Sequence, residues 1–212
     1  MHVRTLFLPL LATAALAACA PDQALTGPDR APATPLANHV GNTCVYFNVP
    51  PLGATFGAPA GNVPGTVVWV EQGIRVSVNK FVTLTGGSAY DRLRIEPMPA
   101  SFTLAAGNTG HTLNLNAGFD FTGLTFAVTS VKFHFLHLGG YENLSVNGSP
   151  VFVGQLTAPP AALAGITVAS AWAPVPGGSQ GTITLTGSAA NPIKRLLVGG
   201  QELWLDTVCA YP

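Results

Sequence analysis

His134 and His137, in the run Phe-His-Phe-Leu-His-Leu, are the nearest the chain comes to a metal-binding pair. On a regular strand, residues three apart point to opposite faces, so the two imidazoles do not share an ion unless a bulge intervenes. The expectation is one solvated histidine and one at a sheet end. No His-Glu-x-x-His, Cys-x-x-Cys or EF-hand loop occurs, which argues against a bound metal or other cofactor. A structural Ca²⁺ at Asp206 and Glu142 is the weak metal reading left, and it lacks a carboxylate-rich loop. The serines lie in strands or glycine-rich turns, and spacing alone proposes no triad. Carboxylate pairs are equally unpromising. Asp91 and Glu96 are an odd number of residues apart and face opposite ways. Glu202 and Asp206 share a face with Trp204 between them, but i and i+4 on a strand lie about 13 Å apart, beyond the roughly 5–9.5 Å of glycosidase pairs. No catalytic residue is assigned. A β-sandwich glycoside hydrolase or polysaccharide lyase stays as an alternative, needing partners from other strands.

Aromatic residues near turns offer a binding chemistry instead. Saccharides stack on flat rings and hydrogen-bond to carboxylates and amides, and such residues concentrate at loop ends on rigid scaffolds. Tyr141, Glu142 and Asn143, after Gly139-Gly140, are the first candidates; Tyr90, Asp91 and Trp172 are the second. The competing reading is that each ring caps the core or covers a sheet edge. Trp69 and the phenylalanines at 119, 121, 126, 133 and 135 read as core. Trp204, flanked by Leu203 and Leu205, reads as core as well.

The elements that would position these residues are strands. Period-two runs rich in Val, Ile, Phe, Leu and Thr alternate with Gly, Pro and Asn. Strands are expected near 44–49, 66–70, 74–84, 90–96, 112–116, 125–138, 142–146, 151–156, 166–172, 182–186, 193–198 and 202–209. Gly-Gly at 86–87, 139–140, 177–178 and 199–200, and Asn147-Gly148, read as tight turns. The clearest hairpin joins 193–198 to 201–208 through Gly199-Gly200. The implied fold is all-β, a two-sheet antiparallel sandwich, with a closed barrel as the alternative. No fixed-period repeat points to a propeller or solenoid.

Residues 39–212 suit one domain, preceded by a Pro-, Ala- and Thr-rich tether over 20–38. From His39 onward seven Lys and Arg balance seven Asp and Glu. No basic patch suits nucleic acid.

The first residues have a different character. Met1–Arg4 carries one positive charge, Thr5–Ala15 is apolar, and Leu16-Ala17-Ala18-Cys19 follows. The apolar run is shorter than the about 20 residues a spanning helix needs. This segment resembles the signal and lipobox of bacterial lipoproteins, which implies cleavage after residue 18 and acylation of Cys19. Ala20, rather than aspartate, at the following position implies sorting to the outer membrane. Several acyl chains anchor a protein stably where one does not. An ordinary secretory signal cut after Ala18 or Ala20 is the other reading. With Cys19 acylated, Cys44 and Cys209 form an even pair in an oxidising compartment. A bridge between them would close nearly the whole domain and stabilise it by about 4–5 kcal/mol in chain-entropy models.

Trp204-Leu205-Asp206-Thr207-Val208 resembles the closing strand of extracellular jelly-roll modules, several of which bind carbohydrate. The stretch 139–148 is similar to secreted β-sandwich proteins of unknown role. These resemblances imply a membrane-anchored binding module with carbohydrate as ligand. A structural or adhesive surface protein without a small ligand is the second reading. For the anchor the outcome is direct: Cys19→Ser, expressed in a diderm host, loses acyl labelling and leaves the membrane fraction, and retained labelling would refute the lipobox.

Overall fold

The structure, a computed structural model, describes residues 41–89, 92–102 and 110–212. Cys19, the tether, Tyr90 and Asp91 lie outside the described residues. The described strands are β1 (Thr43–Val45), β2 (Thr55–Gly57), β3 (Val67–Glu71), β4 (Ile74–Val78), β5 (Phe81–Val82), β6 (Ser88–Ala89), β7 (Arg92–Pro97) and β8 (His111–Leu115). They continue with β9 (Ala117–Asp120), β10 (Ser130–Val146), β11 (Phe152–Gly154), β12 (Ala162–Leu163), β13 (Ile166–Val175), β14 (Gly178–Thr186) and β15 (Arg195–Tyr211). No α-helix occurs among the described residues.

Every described strand pairing is antiparallel. Thirteen strands join in one sheet that does not close into a barrel, and β5 and β6 pair separately. The closed-barrel alternative is therefore corrected. Hydrogen bonding runs without a break through these thirteen strands, where two separate sheets were expected.

The reason is the length of β10 and β15, 17 residues each. They pair with one another from Ser130↔Tyr211 to Val146↔Leu196. The free edge of β15 takes β9, β8 and β1 in turn, and that of β10 takes β14 and β11. Gly139-Gly140 and Gly199-Gly200, expected as turns, lie inside these strands. The last expected hairpin is in fact one strand. A side chain at Gly199 would collide with Asn116, and Gly140 has φ +80 with Gln201 packed against it. The ladder shifts register between His137/Gly139 and Gly139/Glu142. Such irregularities bend a strand and re-aim its side chains. Where no second long strand faces the chain, the turn rules hold. Asn147 (φ 52) and Gly148 (φ 76) make a tight turn, and Pro176-Gly177 closes the β13–β14 hairpin.

Alternation sets the interior. Val131, Phe133 and Phe135 of β10 are fully buried, as are Ile183 and Leu185 of β14 and Leu203, Leu205 and Val208 of β15. Val76 and Phe119, from β4 and β9, belong to the same hydrophobic cluster. Each such side chain contributes roughly 1.5–3 kcal/mol over its exposed state. Trp69, Phe119, Phe121, Phe133 and Phe135 are core, and Phe126 is partly buried against it. Trp204 is different. Leu203 and Leu205 point inward, so Trp204 faces the other way, where its indole N–H donates to Glu96 Oε2 at 2.7 Å.

Cys44 and Cys209 stand opposite each other on β1 and β15 and are joined in a disulfide, 165 residues apart in sequence. The bond ties the first described strand to the last. Reduction, or the double replacement Cys44→Ala/Cys209→Ala, is expected to cost about 2–5 kcal/mol of unfolding free energy. Denaturant unfolding with and without reductant measures this, and coincident transitions would show that the bridge contributes nothing.

Candidate functional site

Of the residues expected to bind a ligand, Tyr141 and Trp172 are exposed, by 42% and 52%. Glu142 and Asn143 are not at the surface; both are buried. Asn143 Oδ1 accepts from Val82 N–H at 2.6 Å and its Nδ2 donates to Val82 C=O at 2.9 Å, so this amide pins β5 to β10. Glu142 accepts from His137 Nδ1 with one oxygen and from Leu156 N–H, at 2.9 Å, with the other. The cause is the misread Gly-Gly: without a turn there, the residues that follow stay in the sheet. Nor do the two exposed rings meet. Trp172 pairs through Gly181 with Phe135, and Tyr141 lies six residues farther along β10, up to about 20 Å of strand.

The histidines take opposite faces of β10, as alternation requires, but neither is freely solvated. His134 is half-buried, and desolvation lowers its pKa. His137 is 8% exposed. The hydrogen bond it donates to Glu142 raises its pKa against the opposing effect of burial, helped by the charges of Glu142 and Glu202. Opposite His137 in the ladder stands Ser179, buried, with no hydrogen-bond partner for its hydroxyl among the described residues. Ser179 is the residue that sequence reading passed over, and a signal was present: Gly177-Gly178-Ser179-Gln180-Gly181 has the pattern Gly-x-Ser-x-Gly.

Asp206 and Glu142 do not come together as Ca²⁺ ligands; Glu142 is committed to His137 and Leu156. Asp206 is 1% exposed; Oδ1 accepts from the Thr207 hydroxyl at 3.1 Å, and Oδ2 has no partner among the described residues. Burial raises its pKa to about 6, against the Thr207 hydrogen bond. Thr207 itself has φ 53, at the extra residue of a bulge between Phe133↔Val208 and His134↔Asp206.

A polar groove of about 270 Å³ lies where β3, β4, β9 and β15 run side by side. Arg75, Asp120 and Arg195 form one row across three strands, in direct register. Ser77 and Gly118 form the next row, with Asn79 beyond them. Gly118 makes the floor: a Cβ there would lie 2.6 Å from Ser77 Oγ and 2.7 Å from Asn79 Nδ2. Asp120 is already occupied. Its Oδ1 accepts from the Thr122 amide (2.8 Å) and hydroxyl (2.6 Å), and Oδ2 lies 3.7 Å from Arg195 Nε. Partial burial works to raise the Asp120 pKa, but the Thr122 hydrogen bonds and the Arg195 and Arg75 charges outweigh it and hold the pKa low. The carboxylate therefore stays ionised between two guanidiniums, and the row carries one net positive charge. Phe119, beneath the groove, is 1% exposed and offers no stacking face.

No protein family, curated protein or solved structure shows significant similarity to this chain.

The Asp206 carboxyl gives a pH dependence with a definite sign. Folded, it holds its proton up to about pH 6; its ordinary value is 3.8. Between those values the native state binds more protons than the unfolded one, so stability falls as pH rises. Asp206→Asn keeps an acceptor for Thr207 and does not titrate. Thermal unfolding should show it near wild type at about pH 4 and more stable at about pH 7.5, by up to about 3 kcal/mol. A variant less stable than wild type at the higher pH would contradict this.

Proposed function

We propose that this chain is a lipid-anchored, extracytoplasmic binding protein of the bacterial outer membrane, held by acylated Cys19, whose groove takes a saccharide bearing a carboxylate. The domain is read as a jelly-roll-like sandwich, supported by strands on both halves of β10 and β15 sharing one hydrophobic cluster. The observation that carries the ligand reading is the Arg75–Asp120–Arg195 row beside Ser77 and Asn79. A guanidinium edge matches a carboxylate in two parallel hydrogen bonds. The Arg195 side chain is 71% exposed, and its ion pair runs through Nε, which leaves the terminal nitrogens for a ligand. Hydroxyl and amide groups on the adjoining row suit sugar hydroxyls. The groove lies just below the about 300–1,000 Å³ of small-molecule sites, room for one or two sugar rings.

A structural or adhesive role is the second reading. The observation favouring it is β3, paired only to β4 among the described residues, with Val67 and Val70 about half exposed.

Calorimetric titration of the mature protein with oligogalacturonate and with the neutral oligogalactoside tests the proposal. The acidic ligand should bind at least tenfold more tightly, weaken with salt, and lose about tenfold on Arg75→Gln or Arg195→Gln. Tyr141→Ala and Trp172→Ala should bind normally. Binding of the neutral ligand alone would remove the carboxylate, and binding of neither would favour the adhesive role.

A further inference from the structure

Ser179, His137 and Glu142 are brought together on the inner side of the sheet, away from the groove. We propose that they form a hydrolytic centre for short-chain carboxylic esters, with Ser179 as nucleophile, His137 as base and Glu142 as the positioning residue.

Three observations support the roles. First, Glu142 fixes the imidazole through Nδ1, and Leu156 N–H holds the other carboxylate oxygen. A carboxylate on Nδ1 sets the tautomer that leaves the other ring nitrogen as acceptor, and stabilises the imidazolium once formed. Second, Ser179 is directly opposite His137 on the neighbouring strand. Opposed side chains in an antiparallel pair have Cβ atoms about 4.5–5.5 Å apart, within reach of a hydrogen bond after a rotamer change. The Ser179 hydroxyl is the one member of the set without a partner among the described residues. In the absence of substrate, nucleophile–base contacts are often loose. Third, the residues two positions either side of Ser179 are Gly177, in the turn, and Gly181, its same-face neighbour in β14, and neither carries a Cβ. Phe135 and Trp172 close over Gly181 and form an apolar wall. The Ser179 hydroxyl is itself covered, beside the Pro176-Gly177 turn and with Trp172 half exposed nearby. A substrate must therefore displace the hairpin end to reach it, which restricts the proposal to small acyl groups. Ser179 sits at the start of a strand beside a hairpin, not in the strand–turn–helix where Gly-x-Ser-x-Gly usually places its serine. The likeness is therefore one of geometry and roles, which recur on unrelated folds.

The chemistry balances with water as the only co-reactant. Ser179 Oγ attacks the acyl carbon and its proton passes to His137. The ester C–O bond breaks and the departing alcohol takes that proton. Water then attacks the acyl-serine, gives a proton to His137, and releases the acid as Ser179 recovers its hydrogen.

The test uses the mature protein and a fluorophosphonate probe, followed by peptide mass spectrometry and p-nitrophenyl acetate turnover. A single phosphonyl adduct on Ser179 is expected, with labelling rising as pH passes upward through the His137 titration. Ser179→Ala should lose adduct and turnover. Glu142→Gln should slow labelling at least tenfold while circular dichroism stays native, and should move the pH profile downward. If Glu142→Gln does not fold, the wild-type adduct and its pH profile decide the matter alone. No adduct on folded wild type, an adduct elsewhere, or Ser179 labelling independent of pH would each overturn the proposal.

Discussion

The pairing of β10 with β15 is the interaction on which the remaining strands depend. Each strand is 17 residues long, far above the five or six residues usual for globular proteins. β1, β8 and β9 all hydrogen-bond to one edge of β15, and β11 and β14 to one edge of β10. The disulfide fastens β1 to the far end of β15. The arginine row of the groove is built on the first residue of β15, and the serine–histidine pair on β10 and β14. Loss of this one pairing would disperse both sites.

Uniform pairing would not have produced the inner cluster. His137 and Glu142 are five residues apart, an odd separation that places side chains on opposite faces of a regular strand. The register shifts around Gly139 reset the alternation, so Glu142 meets His137 inside. Burying an ion pair is costly, and removing one partner of such a pair costs about 3–5 kcal/mol because the other charge is left behind. The Leu156 amide satisfies the second carboxylate oxygen, and Ser170 Oγ donates to Leu156 C=O at 2.6 Å. The cluster thus also fastens the segment after β11 and links it to β13.

The sequence made the strand content legible because period-two patterns survive wherever one face is buried: Val131, Phe133 and Phe135 alternate with Lys132 and His134. It also placed Cys44 and Cys209 on terminal strands that pair. It misled at Gly-Gly. A glycine pair has the same local signature whether it turns a chain or lets two strands pass closely, and only the facing strand distinguishes 139–140 and 199–200 from the Asn147-Gly148 turn. β9 was missed because Ala117-Gly118-Phe119-Asp120 carries no β-branched residue. The groove was illegible for a related reason. Arg75, Asp120 and Arg195 are scattered in sequence, and register alone aligns them. Glu142 and Asn143 were expected at a loop end because they follow Gly-Gly, and they are buried in the sheet instead.

The reset of alternation at Gly139 is the claim on which the cluster stands, and the His137 titration reads it most directly. Followed by NMR in the mature protein, the imidazole should titrate above the ordinary range near 6.5 and return toward it in Glu142→Gln, since the Glu142 hydrogen bond is the main cause of the shift. A His137 that titrates normally in the wild-type protein, and is unmoved by that replacement, would mean that the two side chains lie on opposite faces and that β10 runs without the irregularity.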